Sequence, residues 1–523
     1  MLATENRVLT TKGYSILKSF LDEKATRLLQ TELTVVPKMN SKFATKAAIA
    51  AAQFKVYRES PTRWYVPRHW GEKAYGPPER TTLPEGLPFT IPFQGNPYPY
   101  QENIISSFID AGANGLICVP CGKGKTFMAL AIAARLGKRF LVVVDKEFLM
   151  NQWKGEMEAL LPGIRIGIIQ EDKKQIGFVE AEKDPTIPEI KAKLKELGLP
   201  MGGTKGELME RLKATQPPKE PVRYDCCIAM IQTVITREFV SSDFDTFGFT
   251  IFDECHHLGA HHFSKVLQRI QTNHMLGLSA TPTREDGMSK VFTWFLGEPV
   301  YWEKTREPDP TVEVKGVFIE TEDETYTTVP VDWRGEVVMA RLLGNIIGCE
   351  DRNREIVRWI RRLCEEPSRR VLVLSERIGH LNRLEEMVHE GDPALTMSYY
   401  VGGMKEEVRE AGAATARILL ASYAMASEAM NIKTLNSVIL ASPRKHVEQS
   451  TGRILRIQPA QRQVEPVIVD IVDDHSMYLS QWRKRLTYYK KCAYKVERWK
   501  MGAETGELLR STKKVESTCL IAD

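Results

Sequence analysis

The sequence predicts an α/β fold in which two parallel-sheet lobes follow one another. Short apolar, β-branched runs recur at Leu116–Val119, Phe140–Val144, Cys226–Met230, Phe249–Phe252 and Met275–Leu278, with helical stretches between several of them. Such alternation is the pattern of parallel strands covered by helices. A break of different composition follows at 301–312 (YWEKTREPDPTV). A second series begins near Val314 and includes Val371–Leu374, Ala416–Leu420, Ser437–Leu440 and Pro466–Ile471. Tandem lobes of this kind leave a cleft, and ligands of open α/β sheets bind beyond the carboxyl ends of the strands.

The bulk numbers agree with this division. At roughly 100–200 residues per domain, 523 residues suffice for about three domains. The expected boundaries are an N-terminal accessory domain at 1–95, a first lobe at 96–300 with a helical insert at about 180–218, a second lobe at 301–475 and a basic, helical tail at 476–523. The Pro- and Gly-rich stretch YGPPERTTLPEGLPFTIPFQGNPYPY reads as the linker into the first lobe. Net charge is only +5, from 72 Lys and Arg against 67 Asp and Glu, so a polyanionic partner has to be sought in local clusters. Nine scattered cysteines, an odd number without paired C-x-x-C motifs, fit a reducing compartment. No run of 18 apolar residues and no signal peptide is present, so the expectation is a soluble intracellular protein without a membrane partner.

The first chemical motif follows the strand at Leu116–Val119. Pro120-Cys121-Gly122-Lys123-Gly124-Lys125-Thr126 leads into the apolar helix FMALAIAARL. A strand, a glycine-rich turn and a helix N-terminus form a phosphate cradle. Gly122 and Gly124 free the backbone to turn its N–H groups inward, Lys125 reaches the β/γ-phosphates and Thr126 holds Mg²⁺. The strict pattern has Gly where this chain has Val119. The second motif is Asp253-Glu254-Cys255-His256-His257 at the end of Phe249–Phe252. Asp253 is assigned to the metal and Glu254 to the general base. The rival is a metal cluster of Cys255, His256, His257, His261 and His262, whose spacing fits no standard zinc site. His257 is expected to link the nucleotide site to the motif that follows.

The order GKGKT, DECHH, Ser279-Ala280-Thr281-Pro282-Thr283-Arg284 and Gln449-Ser450-Thr451-Gly452-Arg453-Ile454-Leu455-Arg456 resembles motifs I, II, III and VI of helicase superfamily 2. Tyr100-Gln101 resembles the adenine-reading glutamine, Asp145–Trp153 motif Ia, Ile228–Thr233 motif Ic, and Ser422–Ile432 motif V. The resemblance spans about 97–475 and implies RecA-like lobes, ATP and Mg²⁺ as cofactors, and Gln449, Arg453 and Arg456 acting on the γ-phosphate from the second lobe. Close relatives read Gly-Leu-Asp-Ile-Pro in motif V, where this chain has Ala429-Met430-Asn431-Ile432-Lys433. MASEAMNIKTLNSVILASPRKHVEQSTGRILR and VDIVDDHSMYLSQWRKR are similar to helicases of nucleocytoplasmic large DNA viruses, including the poxvirus transcript-release type. If the source is viral, that places the protein in the host cytoplasm, a virus factory or the virion, with RNA polymerase or other transcription machinery as a candidate partner.

Two segments offer nucleic-acid surfaces. The insert contains Thr186-Ile187-Pro188-Glu189 and Thr204-Lys205-Gly206-Glu207, each a capping-box start. Ile190, Leu194 and Leu197 face Leu208 and Leu212 in a small core. It resembles the two-helix SAP module, which implies duplex DNA, with Lys191, Lys205 and Arg211 among the phosphate contacts. The tail WRKRLTYYKKCAYKVERWK interleaves cations with rings, and Arg483, Lys484 and Arg485 are further candidate contacts. The plainer alternative packs those rings on the second lobe. The aromatics of Arg63–Trp70 read as core. Taken together the expectation is an ATP-dependent helicase or translocase on duplex or forked DNA. An RNA-remodelling motor and a DNA-tethering protein with a residual ATPase remain as alternatives.

Overall fold

The computed structural model describes residues 5–38, 46–120, 122–179, 186–214, 222–259, 261–284, 286–303, 307–428, 430, 432–457 and 459–509. The chain divides into two compact units: 1–118 together with 125–302, and 303–523 together with the loop 119–124.

The first unit is built on seven parallel strands: β1 (Asn114–Cys118), β2 (Phe140–Val144), β3 (Ile166–Gln170), β4 (Cys226–Met230), β5 (Phe249–Phe252), β6 (His274–Ser279) and β7 (Pro299–Trp302). Their order across the sheet is β3-β4-β2-β5-β6-β1-β7, and the short strand Lys173–Lys174 adds antiparallel to the β3 edge. β2 and β5 are buried along their whole length, as strands covered on both faces must be. Helix α1 (Lys125–Leu136) follows β1 and buries Met128 through Ala133. Before it, the N-terminal residues form a five-stranded sheet whose central strands are Arg7–Thr10, Gly13–Leu17 and Arg63–Val66. Trp64, Val66 and Trp70 are buried in its core, as expected for that aromatic run. The linker is extended and hydrogen-bonded to the first sheet's surroundings: Arg139 N–H donates to Leu87 O, and Phe89 N–H to Gly137 O.

The insert forms α2 (Ile187–Glu196) and α3 (Lys205–Ala214). Both capping boxes are present: the Thr186 and Thr204 N–H groups donate to Glu189 and Glu207 at 2.7 and 2.8 Å. Ile190, Leu194, Leu208 and Leu212 make the core, with Leu199 packed against it. Leu197 does not take part. It follows the last helical residue and is 52% exposed, so the core face ends one turn earlier than the periodicity predicts.

The second unit repeats the architecture with β8 (Glu313–Ile319), β9 (Val371–Ser375), β10 (Met397–Tyr400), β11 (Ile418–Ser422), β12 (Ser437–Leu440), β13 (Val467–Asp473) and β14 (Lys495–Lys500), in the order β10-β11-β9-β12-β13-β8-β14. All seven run parallel, and Glu507–Leu508 adds antiparallel to the β14 edge.

Two expectations about the basic stretch at the end are corrected here. It is not helical throughout: α4 (Ser476–Lys491) turns into β14, which joins the sheet beside β8. Its rings are not a base-stacking platform either, since Trp482, Tyr489, Tyr494 and Trp499 are all buried. Gly316 on β8 is what admits Trp482, because a Cβ there would sit 2.5 Å from the indole. Arg485 is likewise removed from the candidate nucleic-acid contacts. It is 4% exposed and grips Asp470 with two hydrogen bonds of 2.8 and 2.9 Å, while Tyr489 Oη donates to the same carboxylate at 2.8 Å. Arg483 and Lys484 remain exposed.

Breaking one side of a buried ion pair costs about 3–5 kcal/mol, whereas surface substitutions stay within about 0.5 kcal/mol. Arg485→Ala is therefore expected to lower the thermal unfolding midpoint sharply, and Arg483→Ala and Lys484→Ala to leave it unchanged. Equal midpoints for all three variants would contradict the buried assignment.

Candidate nucleotide-hydrolysis site

β5 is an apolar strand that ends abruptly in two acids. Its last residue, Phe252, is buried, so Asp253 and Glu254 leave the strand while still inside the protein. Glu254 has φ = 42°, a left-handed conformation that a residue with a side chain adopts only when its surroundings enforce it. This backbone reversal lets two neighbouring side chains serve one site instead of pointing to opposite faces of the sheet.

Each carboxylate has its own support. Asp253 Oδ2 accepts a 2.8 Å hydrogen bond from the Trp153 indole, and Oδ1 accepts the Glu254 N–H at 2.9 Å. Burial, and then the charge of Glu254, push the Asp253 pKa up to about 6. Burial alone would raise Glu254 as well, but Lys125 and His256 outweigh it and hold Glu254 well below the usual carboxylate range. Lys125 Nζ lies 3.0 Å from Glu254 Oε1. The other oxygen, Oε2, is buried and has His256 Nδ1 at 3.3 Å, outside hydrogen-bond geometry.

The two histidines divide differently from expectation. It is His256, not His257, that joins Glu254 to the Ser279–Arg284 segment: its Nδ1 lies 3.0 Å from Ser279 Oγ. Arg284 closes the same link by donating to His256 O at 2.8 Å. Burial lowers the His256 pKa, which favours the neutral ring at this junction. His257 instead meets Asp145 at 2.9 Å. Asp145 also receives Gln232, whose side chain donates to its backbone carbonyl at 2.7 Å. The segments read as motifs Ia, Ic, II and III are thus tied together by named hydrogen bonds. Trp153, the last residue of motif Ia, had no role in the sequence reading. Its burial to 1% exposure and its bond to Asp253 become visible only in three dimensions.

The other expected nucleotide residues are placed as follows. Gly122 and Gly124 have φ of 89° and 82°, values that require glycine, and Cys121 between them and Pro120 lies outside the described residues. Lys125 and Thr126 open α1. Lys123 is paired with Glu307 at 3.0 Å and Glu303 at 3.6 Å. Gln101 is 5% exposed on the helix Pro99–Asp110, where its side-chain oxygen accepts the Tyr98 N–H at 3.0 Å and orients the amide.

The expected arginines belong to the second unit. Gln449 lies on the short helix Glu448–Thr451, followed by Gly452–Ile454. Arg453 donates to Ala426 O at 2.5 Å and to Met430 O at 2.8 Å, and Arg456 donates to Met430 O at 2.7 Å. One motif V carbonyl therefore holds both motif VI arginines. Asn431, the departure from the family pattern, lies outside the described residues.

The donor set fits a hard cation. By chemistry, a buried carboxylate such as Asp253 and a hydroxyl such as that of Thr126 are oxygen donors of the kind that Mg²⁺ completes with water and phosphate. Among the described residues no group of three or more His, Cys, Asp or Glu is arranged to hold a metal, so the Cys/His cluster finds no support there. Seven described cysteines are buried and unbonded to one another. No helix among the described residues is long and apolar enough to cross a membrane.

In insert and tail, Lys191 and Lys205 are exposed. Arg211 donates to Pro200 O, and to Gly202 O at 3.1 Å, which closes the turn between α2 and α3.

Residues 94–284 match the family described as type III restriction enzyme, res subunit. A protein of Acanthamoeba polyphaga mimivirus named "Putative ATP-dependent RNA helicase" is 28% identical over 503 residues, 94% of this chain and 86% of its own length. A protein of the same name from African swine fever virus is 25% identical over 409 residues, 72% of this chain and 68% of its own. Among solved structures, an ATP-dependent type ISP restriction-modification enzyme bound to DNA, LlaBIII, aligns with a TM-score of 0.49 at 15% identity, over 79% of this chain and 32% of that one. Residues 94–284 thus match a restriction-type helicase domain, and the chain is an ATP-hydrolysing helicase with proteins of large DNA viruses that are named putative helicases among its relatives.

Proposed function

We propose that the chain moves along or remodels DNA, duplex or forked, by coupling ATP hydrolysis to lobe movement. The observation that carries the catalytic half is the buried set Lys125–Glu254–Asp253 at the end of β5. Gly122, Lys123, Gly124 and Lys125 would cradle the phosphates and Gln101 would read the adenine. Asp253 and Thr126 would hold Mg²⁺, which when bound neutralises phosphate charge. Glu254 would act as general base, and Gln449, Arg453 and Arg456 would meet the γ-phosphate.

The ion pair supplies a way to time the chemistry. With Lys125 on it, Glu254 is a weak base. A γ-phosphate that draws the ammonium away raises the basicity of Glu254 when there is something to hydrolyse. His256 carries the same event to Ser279 and Arg284.

DNA as substrate rests on the insert, a capped two-helix module with exposed Lys191 and Lys205, and on exposed Arg483 and Lys484. RNA is the second reading, favoured by the names of the viral relatives. Those relatives also favour an infected host cell as the place of action. ATPase assays with single-stranded DNA, duplex DNA, forked DNA and RNA in parallel decide between them: stimulation by RNA alone would overturn the DNA reading.

Lys125→Ala is expected to abolish hydrolysis in a folded protein, and Glu254→Gln to bind a fluorescent ATP analogue but turn it over very slowly. A Glu254→Gln protein that cannot bind the analogue would contradict the division of roles. Trp153→Phe keeps the ring's bulk but removes the indole donor to Asp253, so the Mg²⁺ concentration for half-maximal ATPase should rise several-fold while metal-free nucleotide binding stays unchanged. An unaltered Mg²⁺ dependence would show that the hydrogen bond does not position the ligand. Deleting 180–218 is expected to weaken duplex binding in a salt-dependent manner and to leave DNA-free ATPase intact. Unchanged duplex affinity at low and high salt would remove the insert from the nucleic-acid surface.

A further inference from the structure

The second unit carries a hairpin at 329–339 that no step of the nucleotide chemistry uses. Val331 and Val337 face one another in an antiparallel bridge. Asp332 builds the turn: its carboxylate accepts the N–H groups of Arg334 and Glu336, both at 2.9 Å, and its own N–H donates to Glu336 O at 2.8 Å. Gly335 supplies the left-handed residue with φ = 75°. The hairpin is therefore a built element.

In a two-stranded ribbon alternate residues share a face, and residue 331 lies opposite 337. Residues 329, 331 and 337 thus fall on the same side, with Trp333 in the turn between the two arms and Met339 opening the helix that follows. All five are apolar, and all are exposed: Val329, Val331, Trp333, Val337 and Met339, with Trp333 highest at 85%. Exposed apolar residues scattered singly are ordinary, but five within eleven residues of one ordered hairpin mark a surface that another molecule covers.

The charge around this face tells what that molecule is. From Glu320 to Met339 the sequence holds six carboxylates and one cation, Arg334, whose guanidinium lies 4.3 Å over the Trp333 ring. Beside the hairpin is a groove of about 660 Å³ whose walls include Glu320, Glu322, Asp351 and Asp474. Arg354 meets Asp351, but Glu320, Glu322 and Asp474 have no ion-pair partner among the described residues. Tyr326 and Thr327, at the end of the short helix Glu324–Thr327, line the groove two residues before Val329, and that helix packs on the helix Met339–Gly348 that follows the hairpin, so the hairpin is anchored next to the groove at both ends. A nucleic-acid strand would be repelled here, and so would a second copy of the same acidic face.

We propose that the 329–339 hairpin and the acidic groove beside it are a docking surface for a protein partner, with apolar side chains of the partner covering the Trp333 face and Lys or Arg side chains entering the groove. Aromatic anchors flanked by complementary charge carry most of the affinity of such contacts. The surface does not depend on the choice between DNA and RNA.

The test uses the full chain and a fluorescein-labelled 12-residue peptide of alternating Leu and Lys, with a Leu/Glu peptide as control, read by fluorescence anisotropy. The Leu/Lys peptide is expected to bind and the Leu/Glu peptide not to. Trp333→Ser and the double variant Glu320→Lys, Glu322→Lys should each weaken binding roughly tenfold or more. Thermal unfolding and ATPase, basal and nucleic-acid-stimulated, should match the unsubstituted protein. Equal peptide binding in the Trp333→Ser variant, or no binding to the unsubstituted protein, overturns the proposal. So does loss of nucleic-acid stimulation in Trp333→Ser, which would make the hairpin a strand contact. Sedimentation showing a self-association abolished by Trp333→Ser would overturn it in favour of a second copy.

Discussion

Two adjacent carboxylates at the buried end of one strand repel each other and lose their hydration. Asp253 and Glu254 can coexist only because the surrounding segments answer each of them separately. Lys125 neutralises Glu254, and Trp153 and the Glu254 N–H hold Asp253. The first unit's motifs converge on this one electrostatic requirement. α1 starts where it does to bring Lys125 to the end of β5. The helix after β2 is placed so that Trp153 reaches Asp253, and β6 ends so that Ser279 meets His256. The positive φ at Glu254 is the local cost of having both acids at one point. The asymmetry that results, one acid pushed up and the other held down, is how an environment gives two like side chains different tasks.

The second unit solves a different problem, that of holding two arginines around one point of the backbone. Arg453 is buried to 7% exposure, and both it and Arg456 are steered by the Met430 carbonyl. A backbone carbonyl orients a guanidinium by accepting its N–H groups. It is also supplied by any residue type. A side-chain departure at the neighbouring position 431 therefore does not by itself remove this support, and the motif V sequence can drift while the arginine geometry is kept.

What could be read from the sequence follows from burial. β2, β4, β5 and β12 appear with the boundaries expected, because strands covered on both faces are unbroken apolar runs. β3, β7, β10 and β14 are not among the strands read from the sequence, each for the same reason. They lie towards or at a sheet edge and carry half-buried or exposed residues instead of an unbroken buried run, and β14 alternates Lys, Glu and Arg with Val and Trp. At the site, residue types and order pointed to Lys125, Asp253 and Glu254. Partner choice was not accessible, because which of two adjacent histidines meets Ser279 depends on the short 3-10 helix Cys255–Gly259 after Glu254. Trp153 likewise lies one hundred residues from Asp253 in the chain, and nothing local links them.

Arg485 shows that a cluster of cations is not a surface until its periodicity has been read. WRKR offers three basic residues in a row, and composition treats them alike. A helix does not. Tyr478, Trp482, Arg485 and Tyr489 recur at spacings of four, three and four residues, which is one face of α4, and these four are its buried residues. Placing Trp482 and Tyr489 in the core therefore places Arg485 there too, and a buried guanidinium demands an acid. β13 supplies it: Asp470 is a fully buried carboxylate in the middle of the strand, flanked by Val469 and Ile471, and it would be as costly alone as Arg485 would be. The pair locks α4 to the sheet, and Arg483 and Lys484, two positions and one position before Arg485, are left facing water because the helix has turned them there.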